Sequence, residues 1–482
     1  MTCTQNLKEM KNIYKRYYKV LFGILGIMIY SSCSDEFLEV VPKGQLIGEK
    51  VVDYDKMFYN LNLINMTSTN AQVPLGAELV AFEPYISGSG LRTQRLYRWE
   101  AEVYNDGDNA AELENTMENI YIYNKIINEV MEATEGSEAE KRSLRAEALA
   151  GRAWTYFLLI NYYGLPYNEG TSATDAGFPI VEVADLVASD FRRATVQEVY
   201  DFIVDDLTTA LQDLPAQVPS RFRFSQAAGK ALLGKVYTFM GKFEEASPLL
   251  TEALDQIEDT GTEVRLLDYN EGYSNPRVDT DPEGIYGKQF SNNWANTASE
   301  LVVNPEIMAL FDESDLRLEY LYTETAQNGN EYPLEGVFRK QIGTGQTFFG
   351  VRVQEVYLFL AEVKCRLGDL TAAVSILEEF RKHRMPEENA IVPQEIAADR
   401  ETLLRFVFDE RLREFAAQGV YWFDMRRLTV DPDIPVPVSS YTHTIYDTDG
   451  SVKGEYQLTK ERLVLRFPKT VTDQNPNLEN NP

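Results

Sequence analysis

The sequence predicts a mainly α protein: a scaffold of helical hairpins carrying long loop-rich insertions and a few short β-hairpins. Three observations carry this prediction. Helix-starting caps precede long stretches with 3.6-residue apolar spacing. Two distant segments share one helix–glycine–helix pattern. Between the helical blocks lie stretches rich in Gly, Asn, Tyr, Pro and acids, with weak periodicity, at 65–108 and 259–350.

The elements follow in order. Asn109-Ala-Ala-Glu112 has the form of a capping box and opens a helix running to about Thr134. Ser137-Glu-Ala-Glu140 caps the next, which runs to about Tyr163 and is stopped by Gly164 and Pro166. Thr195-Val-Gln-Glu198 caps a third, ending before Pro215. In each box the cap oxygen accepts from the amide three residues on, and the acid reaches back to the cap amide. Ser225 starts a fourth helix, and further helices cover about 350–367, 370–383 and 400–418, the last closed by Gly419. Val353, Val356, Tyr357, Leu360 and Ala361 mark one buried stripe. Leu233–Ala246 and Leu360–Ala373 align: a helix, a turn at Gly241 or Gly368, an apolar residue two on, then Ala three later. This is the hairpin of tetratricopeptide repeats, though the copies are not tandem at about 34 residues. After Pro432, Pro435 and Pro437, two strands at 441–446 and about 452–458 flank a turn at Asp447–Gly450.

Residues 1–32 read as an address. Lys11, Lys15, Arg16 and Lys19 precede the apolar run Val20–Tyr30, then Ser31, Ser32 and Cys33. Basic, apolar, small, Cys is the layout of a lipoprotein signal, and the apolar run is shorter than the ~20 residues a membrane span needs. Met10 is an alternative start. Cys33 is the expected lipid attachment point, and 33–482 is expected to form a single domain.

Composition excludes several functions. The formal net charge is −29, which disfavours nucleic acid and a basic membrane-docking face. Three scattered cysteines and two histidines supply neither a disulfide framework nor a zinc cluster, and no cofactor or metal is expected. Asp279-Thr-Asp281-Pro-Glu283-Gly284 has the start of a calcium loop but lacks its twelfth-position acid, so a solvated acidic loop is expected. The acids Glu410, Glu414 and Asp424 alternate with Arg411, Arg413, Arg426 and Arg427, which suits structural ion pairs. A glycoside hydrolase would need two carboxylates roughly 5–9.5 Å apart across a cleft. With 75 acids in the chain, sequence proximity says nothing about that.

A sugar site needs flat aromatic faces and amide, Arg or carboxylate partners for hydroxyls. The stretch from Tyr286 through Phe290, Asn292 and Asn293 to Trp294 is the first candidate. Arg92 to Trp99 is the second, with Arg92 a polar contact and Trp99 either a platform or a cover for the first helix pair. Phe348 and Phe349 are a third. Trp154 and Trp422 lie on helices and are expected in the core.

Several motifs then appear in order: Cys33-Ser-Asp-Glu-Phe to Pro42; Arg145-Ala-Glu-Ala148 through Trp154 to Tyr163-Gly-Leu-Pro166; Arg193-Ala-Thr-Val196; and Asp315-Leu-Arg317. They continue with Val351–Leu358, Ala361-Glu362 and Gly368-Asp369; Glu410–Glu414 to Gly419; Trp422–Arg427; and Asn475-Pro-Asn-Leu478. As an ordered set this resembles the SusD/RagB-like nutrient-binding outer-membrane lipoproteins, with Gln418 standing where that family usually has an acid. The resemblance implies a SusD-like fold and an outward-facing lipoprotein in the cell outer membrane. It implies a non-catalytic protein that binds an oligosaccharide and delivers it to a SusC-like TonB-dependent transporter. The alternative is a tetratricopeptide-type scaffold for peptide or protein cargo.

Overall fold

The computed structural model describes residues 48–187, 190–292, 299–341 and 345–482. Cys33 and the rest of 1–47 lie outside the described residues. Within 48–482 the longer helices are α1 (Ala111–Glu129), α2 (Glu138–Tyr163), α3 (Val196–Ala210), α4 (Gln226–Phe239) and α5 (Phe243–Asp255). They continue with α6 (Val353–Arg366), α7 (Leu370–Lys382), α8 (Arg400–Phe415) and α9 (Tyr421–Leu428). Neighbours pack as hairpins: α1 with α2, α2 with α3, α4 with α5 and α6 with α7. Contacts of α5 and α8 with α6 join them into one scaffold.

The caps act locally, as the sequence predicts. Ser137 accepts from the Glu140 amide at 3.2 Å, and Glu140 accepts from the Ser137 amide at 2.6 Å. Thr195 and Glu198 repeat the arrangement at 3.1 and 2.7 Å. The first box differs: the N-cap of α1 is Ala110, with no side-chain hydrogen bond. Helix α8 stops at Phe415 rather than near 418, because Ala416 leaves the helical region at ψ 138°, and Ala417 then turns left-handed at φ 60° ahead of Gly419.

Both repeat turns fall where the aligned glycines place them, Gly241 at φ 74° and Gly368 at φ 82°. A side chain is disfavoured in that conformation, and glycine adopts it freely. The aligned Ala246 and Ala373 are fully buried, and a Cβ at Gly234 would lie 2.7 Å from Leu250. Small residues thus set how closely the α4–α5 pair approaches.

Beside the helices lies a four-stranded sheet. Its members are β1 (Leu79–Phe82), β4 (Leu301–Val303), β9 (Thr442–Tyr446) and β10 (Val452–Gln457), in the order β10-β9-β1-β4. The β9–β10 hairpin matches its expected position, with a bulge between Val452 and Gly454. Strands β1 and β4 come from the insertions. All their residues are buried, so they lack the alternation that marks a half-exposed strand. Shorter pairs join β2 (Gly284–Tyr286) to β8 (Val351–Arg352), β3 (Gln289–Ser291) to β7 (Gln346–Phe348) and β5 (Tyr322–Thr323) to β6 (Arg339–Lys340).

The acid–arginine motifs form the buried polar framework. Arg317 meets Asp315, Glu410 and Glu414 at 2.6–3.0 Å. Arg384 joins Glu283 to Glu414, and Arg427 joins Glu362 to Asp424. Trp154 and Trp422 are buried, as expected.

Candidate functional site

The candidate site is a cavity of about 510 Å³, within the ~300–1,000 Å³ range of small-molecule sites. Its walls come from remote parts of the chain: Leu61 and Ile64, Phe222, the segment Tyr269–Glu283, Gln289 on β3, Gln346–Phe348 on β7, Arg352 on β8, Glu414 in the last turn of α8, and Gln418 just beyond it. Pairing of β3 with β7 and of β2 with β8 brings residues 284–291 and 346–352 together here.

Tyr273 is the main aromatic surface. Its ring packs 4.5 Å from Tyr269 and 6.0 Å from Tyr320, and it stays half-buried, beside half-buried Phe222. Leu61 adds an apolar rim that is 73% exposed. Polar groups fill the remainder. Glu283 is fully engaged, accepting from Arg384 at 2.7 Å, Gln354 at 2.6 Å and the Leu267 amide at 3.1 Å. Glu414 is held by Arg384 and Arg317. Burial alone would raise its carboxyl, but the two guanidiniums outweigh that and bring it down to about 2.

Asp281 and Arg352 are less committed. The Asp281 carboxylate accepts from the Glu283 amide at 3.0 Å, and among the described residues it has no ion pair. Burial pushes its carboxyl above the usual range, and the Arg352 guanidinium is the main opposing charge. Arg352 donates from Nη1 to the neutral amide of Gln418 at 2.6 Å and lies over the Phe348 and Phe415 rings. Gln346 Oε1, Thr347 Oγ1 and Arg352 Nε in the same walls have no hydrogen-bond partner among the described residues.

Among the described residues, the expected site residues fall elsewhere, with Phe348 the exception. Trp99 is 5% exposed, donates from its indole to the Leu75 carbonyl at 3.1 Å, and stacks on His443 at 3.9 Å. Its face is therefore occupied, and it acts as a core residue rather than a platform. Tyr286 is buried against Phe224 at 3.8 Å, and Phe290 is fully buried beside Phe349. Asn292 is fully buried and donates to the Ala417 carbonyl at 2.7 Å. Arg92 donates to Asn70 at 3.0 Å and pairs with buried Glu112. These residues build the fold beneath the insertions. Asn293 and Trp294 lie outside the described residues.

The acidic loop also needs correction. Asp279 is exposed and paired with Arg277, but Asp281 and Glu283 are buried in the cavity wall rather than solvated. The described residues hold no cluster of ligands able to bind a metal ion. Tyr273, Asp281, Arg352 and Gln418 were not among the expected contacts.

Comparison with known proteins places this architecture. A SusD-like profile, described as starch-binding associating with outer membrane, matches residues 36–238, and the SusD family profile matches 237–482. SusD-like protein P2 of Formosa agariphila is 23% identical over 357 residues, covering 62% of this chain and 67% of that protein. A SusD superfamily structure from Bacteroides thetaiotaomicron superposes with a TM-score of 0.71 at 19% identity, covering 90% of this chain and 100% of that one. A structure from Bacteroides vulgatus, titled a putative sugar binding protein, gives 0.68 at 21% identity, covering 91% and 99%. With one profile spanning the C-terminal half and a related one most of the remainder, the chain belongs to the SusD family.

Proposed function

We propose that this protein is a non-catalytic glycan-binding lipoprotein of the outer membrane, anchored through Cys33, that captures an oligosaccharide and hands it to a SusC-like TonB-dependent transporter. The observation that carries the reading is the cavity, in which Tyr273 and Phe222 offer ring surface beside the Asp281 carboxylate and the Arg352 guanidinium. Sugar rings need this mixture, because their C–H faces are apolar and their edges carry hydroxyls. The family descriptions, starch-binding and associated with the outer membrane, support both ligand class and location. Two of the cavity acids, Glu283 and Glu414, are committed to Arg384, which suits a binding role better than proton transfer.

The test is affinity electrophoresis and calorimetry of residues 34–482 against a broad polysaccharide panel, with Tyr273→Ala alongside. Retention by a glycan, weakened roughly 2- to 12-fold by loss of the ring, is expected. Retention unchanged by Tyr273→Ala would move the site, and binding of peptides in place of every glycan would overturn the reading. Copurification with an outer-membrane transporter tests the delivery step.

A further inference from the structure

Resting on the glycan-binding reading above, we propose that the cavity selects an uncharged oligosaccharide and holds it by a pair of adjacent hydroxyls, one donating to Asp281 and the other accepting from Arg352. Most of the charged groups lining the cavity are already paired. Glu283 and Glu414 each have a guanidinium partner, and Arg277 is matched by Asp279 at the rim. That leaves one carboxylate and one guanidinium. Asp281, in the cavity wall, uses its Oδ1 on the Glu283 amide, while its Oδ2 has no hydrogen bond among the described residues. Arg352, also in the wall, uses Nη1 on Gln418, and its Nη2 likewise has no hydrogen bond among the described residues.

The two groups influence each other electrostatically without pairing directly. Something that bridges them satisfies both. A vicinal diol does so with one hydroxyl as donor and one as acceptor, and leaves no net charge in the cavity. A uronate or sulfate gains Arg352 but brings its charge against Asp281 and Asp279, on a protein already at −29. An amino sugar meets the reverse difficulty at Arg352. The neighbour of Arg352 is decisive here. Because Gln418 is an amide, the guanidinium keeps its capacity for a ligand. A carboxylate in that position would claim it, since charged hydrogen bonds are roughly twice as strong as neutral ones.

The experiment uses residues 34–482 as wild type, Gln418→Glu and Asp281→Asn, with thermal melting as the folding control. The probes are starch, galactomannan and xyloglucan as neutral polymers, with polygalacturonate and dextran sulfate as anionic ones. Retention by at least one neutral polymer and by neither anionic one is expected, with affinity falling at least about tenfold in each variant at unchanged melting temperature. Retention by polygalacturonate or dextran sulfate in place of the neutral polymers would overturn the proposal while leaving glycan binding intact. Neutral binding that both variants retain would overturn the Asp281–Arg352 grip. Binding to no polymer would count against both the proposal and the reading beneath it.

Discussion

Arg317→Met tests the buried ion network most directly. The guanidinium is completely enclosed and meets three carboxylates, Asp315 at 2.7 Å, Glu410 at 2.6 Å and Glu414 at 3.0 Å. Methionine fills much of the same volume and removes the charge. Glu410 keeps Arg381 and Arg413, and Glu414 keeps Arg384. Asp315 is left with the backbone amide of residue 317. Breaking one partner out of a buried ion pair costs about 3–5 kcal/mol, because the remaining charge stays desolvated. At about 2.1 cal/mol/K per residue, a domain spanning 48–482 has an unfolding entropy of roughly 0.9 kcal/mol/K, so the melting temperature should fall by about 3–5 °C. Scanning calorimetry at pH 7 measures it. Arg405→Met is the control, since Arg405 and Glu401 form an exposed pair one helical turn apart, worth about 0.3–0.5 kcal/mol. Equal melting temperatures for the two variants would refute the view that the buried network holds the insertions to α8.

Two further outcomes are expected. Trp99→Ala should destabilise the fold by about 3–5 kcal/mol and leave glycan affinity unchanged, because the indole is a buried stacking partner of His443. Lost binding at an unchanged melting temperature would return Trp99 to the ligand surface. Glu362 is fully buried. Burial works to raise its carboxyl, and Arg427 and Arg366 overcome this and hold it at about 2. The folded value lies below the ordinary 4.5, so this contribution is complete above pH 4.5 and is lost as pH falls through about 2. It amounts to about 3 kcal/mol at 1.36 kcal/mol per unit. Urea titrations from pH 7 to 2.5 should show a shallower acid limb for Glu362→Gln, and parallel curves would contradict the assignment.

What was legible in the sequence is what is decided locally. The Ser137 and Thr195 boxes close within three residues, and the glycine turns at 241 and 368 need only their own backbone. The site is a different kind of object. Tyr273, Asp281, Arg352 and Gln418 meet only because β2 pairs with β8 and the chain after α8 returns beneath them, and no local spacing records that. Whether Trp99 serves as a platform or a cover is undecided by sequence for the same reason. Leu75 and His443 arrive from elsewhere in the chain to cover the ring. The acidic run at 279–283 carried a usable signal in its neighbours, Tyr273, Asn275 and Arg277, which combine an aromatic with amide and charged groups.

The central strand of the sheet has a consequence for how the protein is made. Strand β1 pairs in parallel with β9, which the ribosome delivers about 360 residues later. Contacts so remote in sequence form late and slow the search for the native state. The amino-terminal third therefore cannot complete its own architecture as it emerges, and a chain truncated before Thr442 leaves one edge of β1 open to foreign strands. Once closed, the same pairing works as a clasp. A cut in an intervening loop leaves two pieces still laced together by backbone hydrogen bonds.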